Sequence, residues 1–193
     1  MNRACLFVLV AFAVIIASPT ALHAQVPSPS ATPLPDPQVF EDEAMHFRAP
    51  SGYYLLGQRH ITVDKLTGDA QVVAGWIHPD RDHPRQIAIQ MEYYEGNAGG
   101  FDGTLEGQMR DQFETAIFKN KKSTTLKNGM PAVFMEMTSG SGFNVQKFYI
   151  LLWADGQRGV AIVLKAQLGD ISTETAEQTI SDVSAVRYPL GRE

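Results

Sequence analysis

The sequence predicts an α+β domain, an antiparallel sheet sandwiched by helices. Three observations predict it. The dipeptides Asn128-Gly129 and Asp155-Gly156 each separate two strand-like segments, and tight turns of this kind join antiparallel neighbours. Two segments, within 105–117 and 172–186, repeat apolar residues at the period of an amphipathic helix. Both strands of the second hairpin are apolar at nearly every position, as central strands covered on two faces are. The two helices are the elements expected to cover them.

The chain opens with Arg3, then the apolar run Leu6 to Ala17, then Ala21-Leu-His-Ala24. A positive start, an apolar centre and a small terminal residue predict a secretory signal peptide over 1–24, with Gln25 as the mature N-terminus. Twelve apolar residues fall short of the roughly 20 that cross a bilayer as a helix. No stable membrane span is therefore expected after cleavage, and the mature chain is expected in a periplasm or outside the cell. The competing reading is an uncleaved anchor, favoured by the large Leu22 three residues before the cut. Cys5 precedes the apolar run and cannot be the lipid-bearing cysteine of a lipoprotein.

Gln25 to Pro37 carries prolines at 27, 29, 33, 35 and 37. Such a segment forms neither helix nor central strand and is expected to be a disordered tail or linker. The folded domain then occupies 38–193. Met45, Phe47 and Ala49 alternate with polar partners within 44–49, as in a half-buried strand. Segments 53–56, 70–77 and 86–94 follow as strands, with 78–85 as a polar loop between the last two. Gly96 to Gly103 is expected to be a flexible loop. Leu105, Met109, Phe113, Ala116 and Ile117 then form one helical stripe, with Thr104 as its N-cap and Lys119, Lys121 and Lys122 at its C-terminal end.

Segments 123–127 and 130–138 flank Asn128-Gly129; segments 145–154 and 158–167 flank Asp155-Gly156. Gly156 is expected to carry the second turn, so that Gly156→Val costs more than Asp155→Ala. The closing helix, capped by Ser172 or Thr173, has the stripe Ala176, Ile180 and Val183.

Composition narrows the function. Arg3 is the sole charge in the first 24 residues, so the remaining 169 carry 15 basic and 21 acidic groups. An acidic surface argues against nucleic-acid partners. Without Cys5 the mature chain has no cysteine, hence no disulfide, thiolate nucleophile or cysteine metal site.

Phe47 to Tyr53 (FRAPSGY), LEGQMRDQF, LKNGMPAVFMEM over 126–137, and the long hairpin Phe148 to Leu164 together resemble the Mog1/PsbP-like fold family. The resemblance covers about residues 40–188. It implies an antiparallel sheet between helices and, as the family's common theme, protein binding without a shared active site. It carries over no ligand residue.

Catalytic motifs are absent from the sequence. The glycines of 96–107 fit neither dinucleotide nor P-loop spacing, and Asp102 and Glu106 beside them would repel phosphate. Ser139-Gly-Ser141-Gly142 contains no nucleophile elbow. Glu92 and Glu95 are odd-spaced at a strand end, which puts them on opposite faces. His78, Asp80, Asp82 and His83 are residue types that ligate zinc or copper. Four ligands within six residues would need a tight wrap that Pro79 and Pro84 oppose, so a solvated loop is the stronger reading. No cofactor is expected. Tyr53, Tyr54, Trp76, Tyr93, Tyr94 and Trp153 sit near strand ends and would form a binding surface if several share an exposed face. The sequence thus points to an exported, non-enzymatic domain that binds a protein or envelope component. The alternatives are a small-ligand binder or enzyme whose site assembles only in the fold, and a metal binder through 78–83.

Overall fold

The computed structural model describes residues 36–80, 83–142 and 145–188. The expected signal peptide, the proline-rich segment through residue 35, and the candidate ligand Asp82 lie outside the described residues.

In chain order the elements are β1 (Val39–Glu41), β2 (Met45–Arg48), β3 (Tyr54–Gln58), β4 (Gln71–His78), β5 (Arg85–Tyr93), α1 (Ala98–Gln112), β6 (Ile117–Thr125), β7 (Pro131–Ser139), β8 (Gln146–Ala154), β9 (Arg158–Gln167), α2 (Thr173–Ile180) and β10 (Val183–Ala185). A single 3-10 turn, Val63–Lys65, lies between β3 and β4. Two antiparallel sheets result, one of seven strands in the order β3-β4-β5-β9-β8-β7-β6 and one of three in the order β1-β2-β10.

The fold is therefore mostly β, and the expected α+β sandwich with helices on both faces is corrected. Helix α1 has 15 residues and α2 has 8. One face of the large sheet is covered chiefly by the small sheet. Phe40, Phe47, Val183 and Ala185 from that sheet join Ala176 and Ile180 of α2 against Trp76, Ile89, Leu151, Trp153 and Ile162. The opposite face receives α1, whose Phe101, Leu105 and Met109 bury against Val133, Met135, Ile150, Leu152 and Ala161. Each such side chain, fully buried, contributes about 1.5–3 kcal/mol.

Both helices are displaced from their expected positions, for local reasons. Asn97 caps α1 by accepting from the Gly100 backbone N–H at 3.0 Å, so the helix begins inside the glycine-rich segment and Thr104 lies within it. The helix stops at Gln112, and Ile117 opens edge strand β6. Lys119, Lys121 and Lys122 consequently decorate a strand, and Lys121 reaches back to Asp102 and Glu106 of α1 at 2.7 and 3.0 Å. Ser172 does cap α2, but the helix ends at Ile180, because Val183 pairs with Phe47 in the small sheet. Both hairpins form, with Gly129 and Gly156 at φ 87° and 106°, but Asn128 is not at positive φ and residues 126–130 make the first connection, so the two-residue type I′ turn expected of Asn128-Gly129 is corrected.

Candidate functional site

The histidine and carboxylate cluster expected over 78–83 is drawn toward several elements. His78 ends β4, edge-on to the Tyr53 ring at 5.4 Å, with Arg85 Nη2 3.4 Å from its Nδ1. Asp80 accepts from the His83 backbone N–H at 3.3 Å. The His83 ring turns outward to Asp170, 2.8 Å away in the β9–α2 connection. Among the described residues no three histidine, cysteine or carboxylate side chains gather about one point.

A second constellation, which the sequence did not announce, surrounds Arg158. Its guanidinium is fully buried and donates to Asp155 Oδ2 and Asp42 Oδ2, each at 2.7 Å. The Tyr188 ring lies 4.5 Å from Cζ. Burial alone would lower the Arg158 pKa, but Asp42 and Asp155 more than offset it and hold the group charged. A cleft of about 470 Å³ opens beside this triad, lined also by Glu41, Glu43 and His60. The hydrogen-bonding capacity of Arg158 is directed inward, so the triad ties the β1–β2 turn to the β8–β9 hairpin rather than presenting a charge to solvent.

A third polar cluster is likewise internal. Glu136 of β7 receives hydrogen bonds from Asn120 at 3.0 Å and Lys147 at 2.9 Å, and another from Thr173. Burial pushes the Glu136 carboxyl up, yet these donors hold it below the usual range.

Among the described residues, no element covers one region of the large sheet. Helix α1 lies on β7 and β8, and its Phe101 reaches over Gly159 of β9. On that same face, strands β3, β4 and β5 form an open half. Register places the side chains in rows across the strands. One row runs Tyr54, Ile77, Gln86, Lys165, Phe148, Met137. The next runs Gly57, Gly75, Ala88, Val163, Ile150, Met135, and a third runs Val72, Gln90, Ala161, Leu152, Val133. Each row begins on the open half and ends beneath α1.

The middle row of the open half is thus floored by Gly57, Gly75 and Ala88. Its flanking rows stand four residues apart, about 13 Å. Less the thickness of the flanking side chains, this leaves a trough wide enough for an extended chain and too narrow for a helix of about 10–12 Å. Tyr54 is 63% exposed and Val72 52%. Leu56 is 55% exposed, because it is the extra residue of a bulge between Leu55 and Gly57, and bulges re-aim side chains. The two sheet edges also differ. Edge strand β6 carries exposed Lys119, Lys121 and Lys122, a charge pattern that blocks edge pairing. Edge strand β3 carries no charged residue.

No family model and no curated protein matches this chain.

Of the aromatic residues singled out in the sequence, Tyr54 belongs to the open half, whereas Trp76 and Trp153 are fully buried core. Sequence reasoning missed Val72, Ile77 and Ala88 as surface residues because they lie in segments that read as ordinary strands. Alternation alone marks two faces; it does not say which face a distant helix leaves bare.

Proposed function

We propose that this is an exported, non-enzymatic polypeptide-binding domain, and that the open half of the large sheet is its docking surface. The observation that carries the reading is the incomplete cover of that sheet. Tyr54, Val72 and Ile77 stand around a floor of glycine and alanine, next to a helix that lies on β7 and β8 and reaches β5 at Glu92. Small residues let a partner's backbone approach closely, and the aromatic and aliphatic rim supplies anchors. The Mog1/PsbP-like resemblance of the sequence, with protein binding as its theme, supports the same reading.

Small-ligand binding is the second reading, favoured by the 470 Å³ cleft beside Arg158. It ranks lower because Asp42 is committed to Arg158 and Glu43 interacts with the Tyr188 hydroxyl.

The test is selection of peptides from a displayed random library on the purified chain. Selected peptides should lose binding to Ala88→Arg, which fills the trough, and keep it for Lys119→Ala on the far edge. Peptides whose binding ignores Ala88→Arg and Tyr54→Ala alike would overturn the proposal.

A further inference from the structure

Lys165 sits in β9 on the face that carries α1, between Gln86 of β5 and Phe148 of β8. The residue is half-buried, its stem lying along the sheet while its ammonium keeps access to solvent. Of the other lysines, Lys147 is also half-buried and meets Glu136 at 2.9 Å, and the exposed Lys121, Lys122 and Lys127 meet carboxylates at 2.7, 2.8 and 2.7 Å. Lys65 and Lys119 are exposed to water instead. The Lys165 ammonium makes no hydrogen bond or ion pair among the described residues.

Its surroundings are polar and neutral. Gln86, Gln146 and Gln167, with Pro84 and Val145, line a groove of about 320 Å³ around it. Carboxamide N–H groups donate to an anion and carboxamide oxygens accept from the ammonium, but none of them neutralises it. Among the described residues the groove is therefore lined by a cation and several neutral donors and by no carboxylate. It also continues the row that holds Tyr54 and Ile77, so it lies at the inner end of the open half, where that half meets the part covered by α1.

We propose that this groove receives an acidic side chain of the docked polypeptide, so that the preferred partner is an acidic peptide with apolar anchors. The proposal rests on the docking reading above. The carboxylate accepts from the Lys165 ammonium and from the neighbouring carboxamides, in the charge-assisted manner that makes such bonds short and selective. Tyr54, Ile77 and the glycine-alanine floor take the apolar part of the same segment. Neutral and basic residues at that peptide position leave Lys165 unpaired and are rejected.

The experiment uses random peptides displayed with their C-termini fused to the carrier, so that only side chains supply carboxylates. Selection on the purified chain should fix aspartate or glutamate at one position. A synthetic selected peptide should bind about tenfold more tightly than its counterpart with glutamine for glutamate. Against Lys165→Met the two should differ by less than about twofold, whereas Lys165→Arg should keep the preference. Thermal melting of both variants checks that they fold. An equal loss on wild type and Lys165→Met, or Ala88-dependent binders with no acidic position, would overturn this inference and leave the docking surface standing. A selection that yields no peptide sensitive to Ala88→Arg would overturn the docking surface, and this inference with it.

Discussion

The side-chain amide of Gln108 in α1 donates to the carboxylate of Glu92 in β5 at 2.6 Å, and the same nitrogen lies 3.2 Å from the Gly68 carbonyl. Glu92 is 1% exposed and stands where the open half of the sheet passes under the helix. Burial pushes its carboxyl up, with Asp69 adding to the shift and the Gln108 bond opposing it.

A carboxyl whose pKa is raised in the folded state gives a contribution that is full below the unfolded pKa. That contribution is lost as pH rises through the folded value. Glu92 should therefore weaken the fold from the ordinary carboxylate range upward. Replacing it by the neutral isostere should remove that loss. Glu92→Gln is expected to stabilise by roughly 0.5–1.5 kcal/mol at neutral pH and to leave stability at pH 3 almost unchanged. Denaturant melts at the two pH values check this; a variant less stable at pH 7 than the parent would refute it.

Gly159 lies under the ring of Phe101, so closely that an added Cβ would collide with the ring edge. This contact seats the first turn of α1 on β9. Gly159→Ala should destabilise by about 1–3 kcal/mol through overpacking. The cost should shrink when Phe101 is also replaced by leucine. Equal costs in the two backgrounds, measured by a double-mutant cycle, would show that the helix shifts freely.

At the β8–β9 turn the structure reverses the order expected from sequence. Gly156 holds a left-handed φ of 106°, so Gly156→Val is still expected to cost about 1–3 kcal/mol. Asp155, however, is a buried carboxylate that accepts from Arg158 Nε at 2.7 Å and from the Arg158 backbone N–H at 3.0 Å. Asp155→Ala leaves a buried guanidinium with half its compensation. It should cost about 3–5 kcal/mol, more than Gly156→Val. Urea midpoints of the two variants decide the order.

Export is tested independently of the fold. Mass spectrometry of protein recovered from an envelope or culture fraction should find the N-terminus at Gln25, as cleavage after a small residue requires. An intact Met1 or Asn2 terminus would favour the anchored form.

Hairpins were legible because their signal is local. Asn128-Gly129 and Asp155-Gly156 mark where the chain reverses, because Gly129 and Gly156 take the positive φ that each turn needs. The small sheet was not legible. Strands β1 and β10 have three residues each and flank β2, β10 reaching it across most of the domain's sequence, so neither carries a periodic pattern long enough to read. Val183 kept helical spacing with Ile180 yet went to a strand, since pairing with Phe47 buries it more fully. The start of α1 was hidden by glycines, whose low helix propensity is overridden here by the Asn97 cap and the burial of Phe101. The candidate site was illegible for a different reason. Its rows join residues from β3, β4, β5 and β9, and only the register of those strands aligns Ile77 with Gln86 and Lys165.

Hydrogen exchange of the chain with and without a selected peptide tests the docking surface most directly. Binding on the open half predicts slowed exchange in Tyr54–Gln58, Gln71–His78 and Arg85–Met91, with β1, β2, α2 and β10 unchanged. Protection confined to the small sheet, or to the Asp42 and Arg158 cleft, would contradict the account.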